Sequence, residues 1–157
     1  MGVEQDNAGI RFPPPFIYLG LLLAGLGAEQ VMAPRSFGVA RWPLGVAGAA
    51  LGLAGAALVL AAVGLFRKAG TTPEPWTGTS AVVTTGLYAR TRNPMYLGMA
   101  LIHAGLALAL DAPIALILLP LALLIIQTQV IAREERYLAA KFGEPYLEYR
   151  RRVRRWL

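Results

Sequence analysis

Long apolar runs separated by short polar breaks dominate the chain, a pattern that predicts helices stacked across a membrane. Pro13-Pro14-Pro15 cannot continue an earlier helix but suits a first helical turn, so 16–32 is predicted as the first membrane helix. Ala33-Pro34-Arg35-Ser36 breaks it. The second run, 42–66, carries no charge and, at about 1.5 Å per residue, exceeds a hydrocarbon core of about 30 Å. Arg67-Lys68 closes that run. Residues 69–94 hold too many Thr, Pro and Gly for a membrane helix and are predicted as a cytosolic loop. Runs 95–110 and 114–132, joined by the tight turn Asp111-Ala112-Pro113, read as a helical hairpin. The first of them is short for a full crossing, and Pro120 is expected to kink the second.

Beyond the last run the helix is predicted to continue through Glu134-Glu135 to Lys141 and to stop at Phe142-Gly143. Pro145 can start a final helix. Tyr146, Tyr149, Val153 and Trp156 share one face at helical spacing, and five arginines crowd the remainder, as in an interfacial amphipathic helix. The predicted fold class is all-α: one membrane domain, 1–157, with about four transmembrane helices and a cytosolic helical tail, 133–157.

Composition agrees with a bilayer setting. Hydrophobic residues make up 56% of the chain and charged ones 15%, more apolar and less charged than an ordinary soluble domain. The net charge is +6, but the basic residues sit beside the apolar runs, so an anionic membrane surface is the expected partner and nucleic acid is not. With four spans, Arg11, Arg67, Lys68, Arg90, Arg92, Arg133, Arg136, Lys141 and the five tail arginines fall on one side, 13 in all, against Arg35 and Arg41 on the other. Both termini are therefore expected in the cytoplasm, in a bacterial or archaeal inner membrane. Glu4 and Asp6 stand before the first apolar run with no basic run, so no secretory signal is expected. Having no cysteine and one histidine, the chain offers neither thiol chemistry nor a multi-His metal centre. Gly48 and Gly52 form a GxxxG pair on the second helix, which permits close packing against an internal helix or a second copy in a homo-oligomer.

Two polar clusters fall on the same predicted side. The first, Gly86 to Gly98, forms the mouth of the third helix, with Arg92-Asn93 just before Pro94. Helix N-terminal amides can hold an anion there, and Arg92 can add a bidentate grip. Alternatively Arg92 is a positive-inside anchor and Tyr96 an interfacial belt residue. The second is Glu134-Glu135, whose adjacent carboxylates repel unless paired. Either one of them faces a ligand, or both pair with Arg133, Arg136 or Arg90. His103 lies seven residues after Tyr96 on the same face and is either a ligand-binding group or a hydrogen-bonding link to a neighbouring helix. Gln127 and Gln129 face a cavity or another helix. No nucleotide-binding fingerprint is credible, because the glycines lie inside apolar helices.

Together the two clusters resemble the isoprenylcysteine carboxyl methyltransferase and phospholipid methyltransferase superfamily of membrane enzymes. The motifs are Gly86-Leu87-Tyr88 through Arg92-Asn93-Pro94-Met95-Tyr96-Leu97-Gly98, and Glu134-Glu135 with Leu138, Phe142-Gly143, Tyr146 and Tyr149. The likeness covers the chain from Thr71 onward. Asn93 stands where the carboxyl branch has histidine, and Leu87 where proline is common. The resemblance implies S-adenosylmethionine as cofactor and a lipid-like or isoprenoid acceptor entering from the bilayer. It implies Arg92, Glu134 and Glu135 as catalytic residues, and Tyr88, Asn93, Pro94, Tyr96, Gly98, His103 and Glu134 around the cofactor. Carboxyl O-methylation of an isoprenylcysteine-like substrate is the first expectation. N-methylation of a phospholipid amine, or a small transporter using Glu29 and His103, are the alternatives.

Overall fold

The computed structural model describes residues 7–10, 12–32, 36–74 and 76–157. The break at 33–35 and the charges of Glu4, Asp6, Arg11 and Arg35 lie outside them. The helices are α1 (Pro14–Val31), α2 (Arg41–Lys68), α3 (Pro94–Ala109), α4 (Pro113–Phe142) and α5 (Glu144–Arg152), with a single 3₁₀ turn at Gly86–Ala89. There is no strand among the described residues. α2 and α4, at 28 and 30 residues, are long and apolar enough to cross a membrane, whereas α1 and α3 have 18 and 16.

Long-range contacts set the order of the bundle. α3 lies at its centre, with α2 on one side and α1 and α4 on the other. The α2–α3 contact is built on absent side chains. A Cβ on Gly48 would lie 2.4 Å from the Gly105 carbonyl oxygen, and one on Gly55 would lie 2.5 Å from that of Gly98. Gly98 and Gly105 meet Gly55 and Gly48 reciprocally, so the two backbones approach to a distance that only glycine allows. Gly48, Gly55 and Ala62 are the buried residues of α2, seven apart, and they face α3. The space at Gly48 of the expected close-packing pair is thus filled by a helix of the same chain, while Gly52 has nothing within 4 Å of its Cβ position.

The opposite side of α3 packs on α1 and α4. Gly25 of α1 lies against Ala115, where a Cβ would come 2.3 Å from the Ala115 Cα. At one end of the bundle the Asp111 carboxylate accepts hydrogen bonds from Ser36 Oγ (2.8 Å) and the Phe37 amide (3.0 Å). There too, Glu29 accepts from the Ile114 amide at 2.6 Å, capping α4 where unpaired amides favour a carboxylate. At the other end Arg133 donates to the Gly9 carbonyl, bringing the N-terminal segment beside the charged part of α4. The helices therefore run alternately up and down.

Pro120 interrupts α4 as expected, and the reading of the tail is corrected. α4 breaks at Leu118, before Pro120, because the proline ring excludes the Leu116 carbonyl from a helical bond. It then widens into a π-helical turn at Ile126–Ile131, which the sequence pattern does not announce. The tail is not one amphipathic helix lying on a surface. α5 ends at Arg152, Val153 is extended, and Tyr146 and Tyr149 are buried against the rest of the chain.

Candidate active site

The loop after α2, the mouth of α3, the polar half of α4 and α5 enclose one cleft of about 820 Å³, open side included. Arg92, Asn93, Tyr88 and Tyr96 line it together with Glu134 and Glu135, so the two polar clusters share a single hollow.

Local chemistry explains how each element arrives there. Gly70 (φ +66°) turns the chain out of α2, and the following Thr-rich segment is knit by side chains rather than by a ladder: Thr71 to Thr79 at 2.8 Å and the Ser80 amide to Thr71 Oγ1 at 3.1 Å. The Thr79 amide also donates to the Tyr137 hydroxyl, pinning this segment over α4. Gly143 (φ +60°) ends α4 and reverses the chain so that α5 folds back over the cleft. The tail is then tied down by the start of α3. The Arg92 amide donates to the Arg154 carbonyl, and Asn93 Nδ2 and Thr91 Oγ1 both donate to that of Arg155. Tyr149 donates to the Tyr88 carbonyl at 2.7 Å, and Trp156 Nε1 to Gln127 at 2.9 Å.

The two glutamates have different surroundings. Glu135 is buried and doubly paired: Arg155 grips it in a fork (3.0 and 2.7 Å) and Arg92 Nη2 lies 3.1 Å from Oε1. Its partners are therefore neither Arg133, Arg136 nor Arg90. Glu134 accepts from the Tyr96 hydroxyl and has no cationic partner among the described residues. Arg92 is 10% exposed at its side chain, yet its Nε and Nη1 have no hydrogen-bond acceptor, and the buried Tyr88 hydroxyl also lacks a partner. Unmade bonds of this kind typically cost about 1–3 kcal/mol each, which an anion in the cleft would recover. Burial raises the Tyr88 hydroxyl above its ordinary range, with Glu134 adding to it. Tyr146 is pushed up to about 12, chiefly by burial and then by Glu135, against the opposing pull of Arg92 and Arg150. Burial likewise raises Tyr149. These walls stay neutral, and Arg92 is the single cation among the described lining residues.

Three of the expected cofactor contacts fall elsewhere. His103 is 2% exposed inside the bundle, its ring nitrogens 3.2 Å from the Tyr18 carbonyl and 2.8 Å from that of Ala115, so it links α3 to α1 and α4. Gly98 belongs to the α2–α3 seam, and Pro94 opens α3 without lining the cleft. Asn93 lines the cleft, but its amide is committed to the tail. Gln127 anchors Trp156, and Gln129 is exposed. Sequence reasoning missed Arg155 as the fork on Glu135, and it read Tyr146 and Tyr149 as facing a membrane. The buried pairing of an isolated carboxylate demands such a second cation, but nothing in the spacing says which arginine supplies it.

Residues 44–145 match the family described as phospholipid methyltransferase. Over 63 residues, 40% of this chain, it is 43% identical to the whole length of an uncharacterized protein of Haemophilus influenzae. Over 72 residues, 46% of this chain, it is 36% identical to the protein-S-isoprenylcysteine O-methyltransferase of Schizosaccharomyces pombe, of which the match spans 30%. No solved structure gives a significant match.

Proposed function

The chain belongs to the phospholipid methyltransferase family, and from that premise we propose that it uses S-adenosylmethionine to methylate an amphiphile at the cytoplasmic face of a membrane. All four long helices are read as spans with both termini inside. The meeting of Gly9, the mouth of α3 and the tail at one end of the bundle supports that reading. The single observation that carries the cofactor is the buried Arg92 guanidinium, with Nε and Nη1 unpaired in a cleft that the unpaired Tyr88 hydroxyl also lines. These donors fit an α-carboxylate. Glu134, with no cation of its own, fits the ammonium of the same amino-acid end or a protonated acceptor.

S-adenosylmethionine, when bound, supplies a methyl group on a sulfonium that leaves as a neutral thioether. The residues of the chain do the rest. Arg92 and Tyr88 hold the carboxylate, and the tail closes the cleft and excludes water, which strengthens each charge–charge contact. Glu134, oriented by Tyr96, would take the proton of an ammonium acceptor and so free the nitrogen lone pair for methylation.

Charge balance favours an acceptor without a second carboxylate. Arg92 is the single cation among the described lining residues, and with it holding the cofactor, a carboxylate acceptor would have only the sulfonium to offset its repulsion from Glu134, whereas an ammonium acceptor would pair with Glu134 directly. We therefore place an amine-bearing amphiphile ahead of the isoprenylcysteine carboxylate. The fission-yeast relative's name supports the latter as the second reading. Mass spectrometry of lipids labelled from methyl-deuterated S-adenosylmethionine separates them: an N-methyl product survives mild base, whereas a methyl ester is released. Glu134→Gln should slow amine methylation by roughly 10²–10⁴-fold. No labelled lipid with well-folded, cofactor-binding protein would reject the methyl-transfer reading.

A further inference from the structure

A second hollow, about 950 Å³ including its open side, lies on the far face of the same 3₁₀ turn. Its floor is apolar, formed by Ala61, Gly64, Leu65 and Leu87, and its two charges are Lys68 and Arg90. Leu87 faces this hollow while its neighbour Tyr88 lines the active-site cleft, so the two spaces stand back to back and do not merge. Gly86 (φ +61°) folds the turn onto Leu65, where a Cβ would come within 3.0 Å, and this closes one end of the groove. Gly64 has nothing within 4 Å of a Cβ position, so the middle of the groove stands open.

Lys68 and Arg90 are both exposed, and neither side chain has an ion-pair or hydrogen-bond partner among the described residues. No acidic residue lines the hollow with them. Beside it, α2 presents Leu53 and Leu60, each 72% exposed, so the groove is continuous with the apolar side of that helix. Two unneutralised cations at the mouth of an apolar groove, at the charged end of a long apolar helix, match one amphiphile in charge and polarity. We propose that this groove binds an anionic phospholipid. Its phosphate is held between Lys68 and Arg90, and the start of an acyl chain lies over Gly64 against Leu65 and Leu87. The occupant is a bound lipid distinct from the methyl acceptor, and the proposal rests on the membrane placement of α2 and not on the methyl-transfer reading.

The test measures retention of phosphatidylglycerol against phosphatidylcholine, by native mass spectrometry of protein purified from mixed micelles of the two. A cation near a membrane surface contributes about 1 kcal/mol, so two should give a preference on the order of 30-fold. Lys68→Gln with Arg90→Gln should abolish that preference. Gly64→Leu leaves both charges and meets no protein atom at its Cβ, but it fills the groove and should reduce phosphatidylglycerol retention at least tenfold. Retention unchanged in both variants would overturn the proposal. So would loss in the charge variant with full retention in Gly64→Leu, which would mark a general basic surface. Displacement of the lipid by millimolar inorganic phosphate would mark a phosphate site and overturn it as well.

Discussion

Replacing Arg155 by methionine keeps the backbone carbonyl that receives Asn93 and Thr91 but removes the fork on Glu135. Two charge-assisted bonds, at 3.0 and 2.7 Å, are lost. Each is typically worth about 1.5–3 kcal/mol when buried. The Arg155 side chain is 34% exposed, so solvent screens part of that. Glu135 also keeps Arg92 at 3.1 Å and is not left as an orphaned charge. The net cost is therefore about 1–2 kcal/mol, or roughly 2–8 °C in thermal midpoint for a chain of this size. The functional effect is separate. With its fork gone, Glu135 draws the whole Arg92 guanidinium, and the donors left for a ligand carboxylate turn away. Affinity for S-adenosylmethionine should fall about tenfold, read by calorimetry in detergent beside a thermal melt. Adding Glu135→Gln to Arg155→Met should restore much of that affinity, since no carboxylate then competes for Arg92. Unchanged melting and unchanged affinity in Arg155→Met would refute the reasoning.

Two further outcomes follow from the packing and burial of individual residues. Gly55→Ala forces a Cβ to 2.5 Å from the Gly98 oxygen and should destabilise by about 1–3 kcal/mol despite the better helix propensity, whereas Gly52→Ala, with open space at its Cβ, should be neutral or stabilising by up to ~1 kcal/mol in the same melt. Tyrosine absorbance titration should find Tyr146 ionising near 12 in the folded protein, against an ordinary value near 10. Its folded value is raised, so the stability it contributes is complete below about pH 10 and disappears as the pH rises through about 12; a normal titration would contradict its burial beside Glu135.

How much of this was legible in the sequence varies with the physics involved. Apolar runs of helix length are a one-dimensional signal, and the helix limits followed them within a few residues. Pro94 and Gly143 also acted locally, as a first-turn proline and a left-handed stop. The Arg92–Glu135 neighbourhood was readable as two motifs at one end of the helices. What could not be read was the allocation of partners. Glu134 and Glu135 look alike in sequence, and only the fold of the tail gives one of them two arginines and leaves the other facing the cleft. His103 carried the signature of a functional residue, yet its ring is buried with both nitrogens close to backbone carbonyls of neighbouring helices. The π-helical turn at 126–131 has no composition of its own, and it changes the phase of α4. The glycines of α2 announced close approach, but whether a helix of the same chain or of another would fill the seam depended on α3 carrying glycines at matching seven-residue spacing.

The central claim is that Arg92 receives the cofactor's carboxylate in the cleft it shares with Glu134. Calorimetric titration of the purified protein with S-adenosylmethionine and with its decarboxylated analogue tests it most directly. At about 1.5–3 kcal/mol for a charge-assisted contact, the intact cofactor should bind roughly 10–150-fold more tightly than the analogue, and Arg92→Gln should remove that difference while leaving affinity for the analogue nearly unchanged. Equal binding of both ligands by the unmodified protein, or a preference that survives Arg92→Gln, would contradict it.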